Sequence, residues 1–587
     1  MLDYLYPVDE RALFTDRDHY LGLLELCCTE LQQDRRKHLA LLGLRRIGKT
    51  LILKEFILRW LQRPTAPGAP PVLPIYVDLK RLGLSPESFA VEYVGSVLYW
   101  FLEKGQGRWD DYARLPTLLR AASTLGNPRV LDMVLELDAD LRQQVIPQRR
   151  LLELAFNFPE VLAREQGVRF LICIDEFQDL GLLSNFPQVG DVLDIFRALL
   201  QTQSAVAYVA AGSAISLMEG IFHQARSPLF VHFRSERVGP FGRAESEELA
   251  RKALAGEALP AAAAQTLYDW THGHPFYIYA VAERMRELIL LSGRAADAQL
   301  VREAFVLETL SSAGRIYNLC RYVIEESMGQ ARGQALLRLL LQILAESESP
   351  LTLTEIAHRL RRPAGAARAL LNRLGQVDLV AQIDGAYDLP DPVLKIWLAY
   401  FHAGVELLTV PRREILEGLV ADMAQRYQRL SSELGLAKES QACRELSRTV
   451  REVMAAFDGR LAPGRLFGRT ASGAGAVQLP VFTRVAAYQS PDGQVELDAI
   501  AEGAAPWLVE VKWRNRPVSR ADIAAFADKA RTVAGRLQLA GAPTLWVVSG
   551  GGFKPSALSY AADAGILVSG AQDLQELAEL LGVRFGK

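Results

Sequence analysis

Cysteine is scarce in this chain: five in 587 residues, at positions 27, 28, 173, 320 and 443, with no CxxC spacing. Neither a disulfide framework nor a thiolate metal centre is suggested, and a reducing compartment fits. An excess of one charge is also missing. Sixty-six Lys and Arg against 68 Asp and Glu leave a net charge of -2, so no chain-wide polyanion coat exists and any nucleic-acid surface has to be local. No apolar run approaches the length of a membrane span, and Met1-Leu2-Asp3-Tyr4 lacks a basic-then-apolar signal pattern. The expectation is a cytoplasmic protein with no membrane partner. Half the residues are hydrophobic with charges interspersed, which predicts a globular chain, and the length predicts about three to five domains.

What is present begins with Gly43-Leu44-Arg45-Arg46-Ile47-Gly48-Lys49-Thr50, the pattern G-x-x-x-x-G-K-[ST]. An apolar strand reading, His38 to Leu42, precedes it and a helical reading, Leu51 to Leu58, follows. Glycines let backbone N–H groups curl around phosphate oxygens, and the helix N-terminus adds a favourable dipole. Lys49 then reaches the β- and γ-phosphates, and Thr50 places its hydroxyl on Mg²⁺. Gly43, Arg45, Arg46, Gly48, Lys49 and Thr50 are therefore candidate ATP-binding residues.

A second motif, Phe170-Leu171-Ile172-Cys173-Ile174-Asp175-Glu176, is an apolar strand ending in two acids. Asp175 is the candidate Mg²⁺ holder and Glu176 the candidate activator of the attacking water. Further strands are predicted at 74–79 and 205–211, the latter ending at Gly212-Ser213, where Ser213 can sense the γ-phosphate. Alternating strands and helices indicate an α/β domain, with 92–148 read as a helical insertion broken near Gly105 and Gly126. Arg226, Arg234 and Arg237 are candidates for an arginine finger or, equally, a solvated basic face.

The form G-x-R-R-x-G-K-T, preceded by Phe14-Thr15-Asp16-Arg17, resembles the archaeal-type ATPases of the STAND class within the AAA+ superfamily. Asp175-Glu176, Gly212-Ser213, Ser227-Pro228-Leu229-Phe230 and Gly273-His274-Pro275 are similar to the same family. The resemblance covers about the first 400 residues. It implies an ATP-driven switch, oligomeric assembly, and a role for Pro275 near the nucleotide, reporting its state.

Helical periodicity from about 244 to 330 predicts a lid. Three helices (336–344, 352–360 and 364–374) and a hairpin turning at Asp384-Gly385 resemble a winged helix-turn-helix. One reading sets Arg368 and Arg373 against DNA; the other uses the domain for packing or partner contact.

A different constellation lies near the C-terminus. Val495 to Glu502 and Trp507 to Trp513 read as the two arms of a hairpin. Alternation puts Glu510 and Lys512 on one face, and pairing across the hairpin brings Asp498 near them. Two carboxylates can bind Mg²⁺, and Lys512 can position or activate water against a phosphodiester. Asp498, Glu510 and Lys512, with a helix over 520–537 and a strand over 544–549, resemble the PD-(D/E)XK nuclease superfamily. A further acid on the preceding helix is either Glu439 or Glu445, and Arg514, Arg516 and Arg520 either meet phosphates or solvate the edge.

The predicted fold class is α/β multidomain: a P-loop parallel-sheet ATPase core with a helical lid, a winged helix, and a C-terminal restriction-endonuclease-like α/β domain. Predicted boundaries are 1–240 for the core with its insertion at about 92–150, and 241–330 for the lid. They continue as 331–405 for the winged helix, 406–460 for a helical connector and 461–587 for the nuclease-like domain. The expected function is an ATP-binding and hydrolysing switch that controls DNA binding or Mg²⁺-dependent cleavage, with RNA kept open, in defence or genome maintenance. The alternative is a non-catalytic, ATP-gated oligomeric scaffold whose C-terminal domains only bind partners or DNA.

Overall fold

The computed structural model describes residues 6–63, 68–328, 334–383, 385–409, 411–469, 475–489, 496–512, 517–537 and 542–583, without the side chains of 383, 430–445, 489 and 496. Asp384, Arg514, Arg516 and the side chains of Glu439 and Glu445 thus lie outside the described residues. The chain forms two compact units, 1–427 and 428–587.

The first unit is built on five parallel strands: β1 (Leu39–Leu42), β2 (Val72–Asp78), β3 (Arg169–Asp175), β4 (Val206–Gly212) and β5 (Arg234–Arg237). Their order across the sheet is β2-β3-β4-β1-β5. β1, β3 and β4 are buried along their described length except for Arg169, which explains their continuous apolar sequences: parallel strands are covered on both faces. Phe156, Phe177, Phe196 and Tyr208 pack edge-to-face in one of those layers.

Between β2 and β3 the chain is helical, but over a longer stretch than 92–150. The first helix starts at Pro86, capped by the Ser85 hydroxyl, and the last runs from Gln148 to Gln166. Pro86 at the first helical position and Gly167 in the left-handed region after the last one mark the true ends. Helices from Arg243 to Met328 follow the sheet.

Residues 334–402 hold the three helices Gln334–Glu346, Leu353–Leu360 and Ala364–Gln376, and a small antiparallel sheet of β6 (Leu351–Thr352), β7 (Ala381–Ile383) and β8 (Ala386–Asp388) in the order β6-β8-β7. The second helix has a full capping box between Thr352 and Glu355.

The second unit contains a two-stranded ribbon of β9 (Leu461–Ala462) and β10 (Val477–Gln478), and a five-stranded mixed sheet. In that sheet β11 (Arg484–Gln489), β12 (Glu496–Glu502) and β13 (Trp507–Lys512) are antiparallel neighbours. β14 (Thr544–Ser549) and β15 (Leu567–Gly570) then add in parallel. Helix Arg520–Leu537 covers one face through Ile523, Phe526, Ala530 and Val533. The other face is covered by Leu446, Val450, Val453 and Met454, so the compact unit begins at Gln428, upstream of 461.

Candidate functional site

The loop after β1 is shaped by its glycines. A Cβ on Gly43 would lie 2.6 Å from the Val238 carbonyl oxygen, and Gly48 turns the chain at φ 106° into helix Lys49–Leu61. Arg46 also takes positive φ, at 60°. Lys49 is only 6% exposed, and its ammonium donates to the carbonyls of Gly43 (2.7 Å) and Leu44 (2.9 Å). Burial lowers its pKa to about 8, although Asp175 and Glu176 pull the other way. Arg17 braces the loop from behind: its guanidinium donates to the Ile47 and Gly239 carbonyls and stacks 4.2 Å from the Phe241 ring.

The two acids sit at the carboxyl end of β3, where ligands bind in sheets of this kind. Thr50 Oγ1 donates to Asp175 Oδ2 at 2.6 Å, and the Tyr76 hydroxyl donates to the same oxygen at 3.0 Å. Burial raises the Asp175 pKa, with the Thr50 bond only partly offsetting it. Glu176 is held at φ 54°, an uncommon conformation for a non-glycine residue. Its Oε2 accepts from Ser213 Oγ (2.6 Å) and Gln178 Nε2 (2.7 Å), while Lys80 Nζ lies 3.5 Å from Oε1. Burial pushes the Glu176 pKa up, but these donors outweigh it and the net direction is down.

The structure therefore brings Gly43, Gly48, Lys49, Thr50, Asp175, Glu176 and Ser213 to one end of one sheet. Arg45 and Arg46 turn elsewhere. Arg45 pairs with Glu326 and lies 5.5 Å from the Tyr322 ring, and Arg46 lies 5.6 Å from the Phe276 ring. Pro275 starts helix Pro275–Ser292, and the contact to the loop comes from its neighbour: His274 Nε2 is 3.2 Å from the Arg45 carbonyl oxygen. Burial lowers the His274 pKa. A cavity of about 250 Å³ opens beside the loop, lined among others by Arg45, Gln178, Ser213, His274, Asp378 and Asp391.

Arg234 and Arg237 lie on the edge strand β5, paired with Glu236 and Glu219, whereas Arg226 is exposed. Arg368 is exposed on helix Ala364–Gln376, and Arg373 is half-buried. Asp378, just beyond that helix, accepts from Ser216 N (3.0 Å) and Ser216 Oγ (2.6 Å).

In the second unit the register changes between Ala486/Ile500 and Tyr488/Leu497, so β12 carries one extra residue around Asp498. Such bulges re-aim side chains. Asp498 Oδ2 accepts from Val511 N (2.8 Å) and Oδ1 from Ser447 Oγ (2.8 Å); Arg451 donates to the Asp498 carbonyl (2.7 Å). Burial raises the Asp498 pKa against those two side-chain hydrogen bonds. Glu510 is 6% exposed, and Lys512 Nζ meets its Oε1 at 2.7 Å. Among the described residues no group of three or more His, Cys, Asp and Glu is assembled to hold a metal, so each candidate Mg²⁺ site rests on two residues of the predicted set, Thr50 with Asp175 and Asp498 with Glu510. Among the described residues, too, no helix is long and apolar enough to cross a membrane.

No protein-family model matches the chain, and no curated protein matches it. Solved structures are similar to it. A Walker-type ATPase of Pyrococcus abyssi matches with 18% identity and a TM-score of 0.42, over 66% of this chain and 96% of that one. The Aeropyrum pernix ORC1 protein, solved in complex with DNA, matches with 15% identity and a TM-score of 0.38, over 68% of this chain and 95% of that one. The Thermotoga maritima RuvB Holliday junction branch migration motor matches with 15% identity and a TM-score of 0.33, over 69% and 99%. Each is a likeness at low identity with a partial superposition.

Several residues at these sites carry no sequence signal of their own. Tyr76 reaches Asp175 from within β2, Lys80 and Gln178 reach Glu176 from the turn after β2 and the 3-10 helix after β3, and Ser447 and Arg451 reach Asp498 from a helix. Only the apolar strand preceding Lys80, which ends at the same edge as β3, points toward it.

Proposed function

We propose that this chain is an ATP-dependent switch whose nucleotide state controls nucleic-acid binding or cleavage by its C-terminal unit. The observation that carries the first half is the 2.6 Å bond from Thr50 Oγ1 to Asp175 Oδ2 beside the buried Lys49 ammonium. A hydroxyl and a carboxylate held together next to a phosphate loop are the donor set for Mg²⁺, which would supply charge neutralisation at the transferring phosphoryl group. Thr50 and Asp175 would hold it. Lys49 exchanges its loop carbonyls for phosphate oxygens. Glu176, oriented by Ser213 and Gln178, accepts the proton of the water that attacks the γ-phosphorus as the bond to the β-phosphate oxygen breaks. Gly43, Gly48 and the loop amides bind phosphate, and Arg45, Arg46 and Pro275 report on nucleotide through the helices that they touch or begin.

In this reading 1–240 is the ATPase core, 241–330 a lid, 331–405 a winged helix and the C-terminal unit a PD-(D/E)XK-like domain, in a STAND-class, cytoplasmic homo-oligomer. Asp498 and Glu510 would hold Mg²⁺ and Lys512 would serve the attack on the phosphodiester, DNA being the favoured substrate and RNA the other. The adjacent placement of Asp498 and Glu510 on β12 and β13 supports this. One observation favours the scaffold reading: all four carboxylate oxygens already have protein donors.

The test is cleavage of linear, circular and single-stranded DNA and of RNA with Mg²⁺ or Mn²⁺, with and without ATP. Nucleotide-dependent cutting lost in Asp498→Ala is the expected result. Absence of cutting with every substrate selects the scaffold.

A further inference from the structure

Lys529 belongs to no motif, yet it occupies the C-terminal site. Helix Arg520–Leu537 lies on the sheet face that carries Leu508, gripping it through Ile523, Phe526, Ala530 and Val533. Glu510 and Lys512 share that face with Leu508, since strand residues two apart point the same way. A side chain flanking the apolar stripe of the helix thus arrives over Glu510. Lys529 does: its Nζ is 2.7 Å from Glu510 Oε2, while Lys512 Nζ is 2.7 Å from Oε1.

One buried carboxylate therefore carries one ammonium on each oxygen. A single lysine suffices to neutralise Glu510. Asp498 takes its hydrogen bonds from neutral donors, the Val511 N–H and the Ser447 hydroxyl, and is reached by Lys529 only through space. Two cations gathered on one acid repel each other and lose hydration, and both contacts fall on Glu510 although Asp498 stands beside it. Both keep a solvent-facing side, with Lys512 23% and Lys529 28% exposed, whereas Glu510 is enclosed. The arrangement suits an anion approaching from solvent.

We propose that Lys529 is a phosphate-contacting residue of this site, held on Glu510 in the metal-free protein and freed for a nucleic-acid backbone phosphate when a divalent cation takes the carboxylate. The inference rests on the nuclease-like reading of Asp498, Glu510 and Lys512. Lys529 then competes with the metal for Glu510 and cooperates with the polyanion.

Two measurements on the full chain test it, neither requiring turnover. Mn²⁺ binding is followed by electron paramagnetic resonance without nucleotide, taking only the component lost in Asp498→Asn. Fluorescent duplex DNA binding is followed by anisotropy in Ca²⁺ across a salt series. Lys529→Ala should bind Mn²⁺ at least about threefold tighter, because a competing cation is gone. It should bind DNA at least about fivefold more weakly, with a log–log salt slope smaller by about one. Lys529→Arg should restore the DNA affinity, and Lys529→Gln replaces the alanine variant if that unfolds early by circular dichroism. Unchanged Mn²⁺ affinity together with an unchanged salt slope overturns the inference while leaving the nuclease-like reading intact. Absence of any Asp498-dependent Mn²⁺ binding in the unsubstituted protein overturns both.

Discussion

Ser213 Oγ donates to Glu176 Oε2 at 2.6 Å, joining the end of β4 to the residue just after β3. The bond fixes a carboxylate whose backbone is itself held at positive φ. In the proposed switch this bond orients the carboxylate that would accept the proton of the attacking water.

Glu176→Gln should bind ATP normally and hydrolyse it about 10² to 10⁴ times more slowly, the usual worth of a positioned general base. Ser213→Ala leaves Gln178 in place and should lose about tenfold in turnover with ATP affinity within about twofold. Steady-state phosphate release beside a fluorescent-nucleotide titration checks both. Full turnover in Glu176→Gln removes it from the role.

Lys49 supplies a pH dependence. Burial depresses its pKa to about 8, below the free lysine value, so without bound phosphate the side chain is an ammonium below that pH and a neutral amine above it. Phosphates favour the ammonium. ATP affinity should therefore be level below about pH 8 and fall above it by up to about tenfold per pH unit, with uptake of up to about one proton per ATP. Isothermal titration in buffers of different ionisation enthalpy measures the proton. Lys49→Ala should remove both the uptake and the ATP binding.

Gly273 sits at φ 72°, and a Cβ there would lie 2.1 Å from the Phe241 carbonyl oxygen. Gly273→Ala must break the 2.8 Å Phe241 N–H to Gly273 carbonyl bond or move the turn that aims His274 at the loop. A loss of about 2–4 kcal/mol in stability is expected, from the left-handed strain and the overlap together. Chemical unfolding reads it, and a wild-type midpoint would show that the turn yields freely.

Asp498→Asn should abolish any divalent-dependent cleavage and leave ATP hydrolysis within about twofold, because its donors, Val511 N and Ser447 Oγ, all lie in the second unit. Parallel ATPase and nuclease assays on one preparation decide it. A matched fall in both activities would indicate misfolding or a shared site.

Much of the fold was legible because its strands are buried on both sides: the run 170–176 can be little other than an interior strand ending in acids, and it is observed at Arg169–Asp175. Helix Arg520–Leu537 and strand Thr544–Ser549 likewise stand at their predicted positions. β5 was not legible. Arg-Ser-Glu-Arg at 234–237 has no apolar alternation, since an edge strand pairs through its backbone while its side chains meet water. Its arginines therefore read as finger candidates in sequence. Contacts such as Arg45 to Glu326 and Lys529 to Glu510 depend on how helices pack on a sheet, which no local spacing encodes. The bulge at Asp498 belongs to the same class, because one extra residue changes register without changing composition.

The most direct test of ATP-controlled nucleic-acid engagement uses Glu176→Gln, which should hold either nucleotide without converting it. Its affinity for duplex and single-stranded DNA, measured at fixed salt with Mg²⁺ and saturating ATP or ADP, should differ between the two nucleotides by at least about tenfold, a coupling of about 1.4 kcal/mol. Equal affinities in ATP, ADP and no nucleotide, with occupancy verified, would contradict the account.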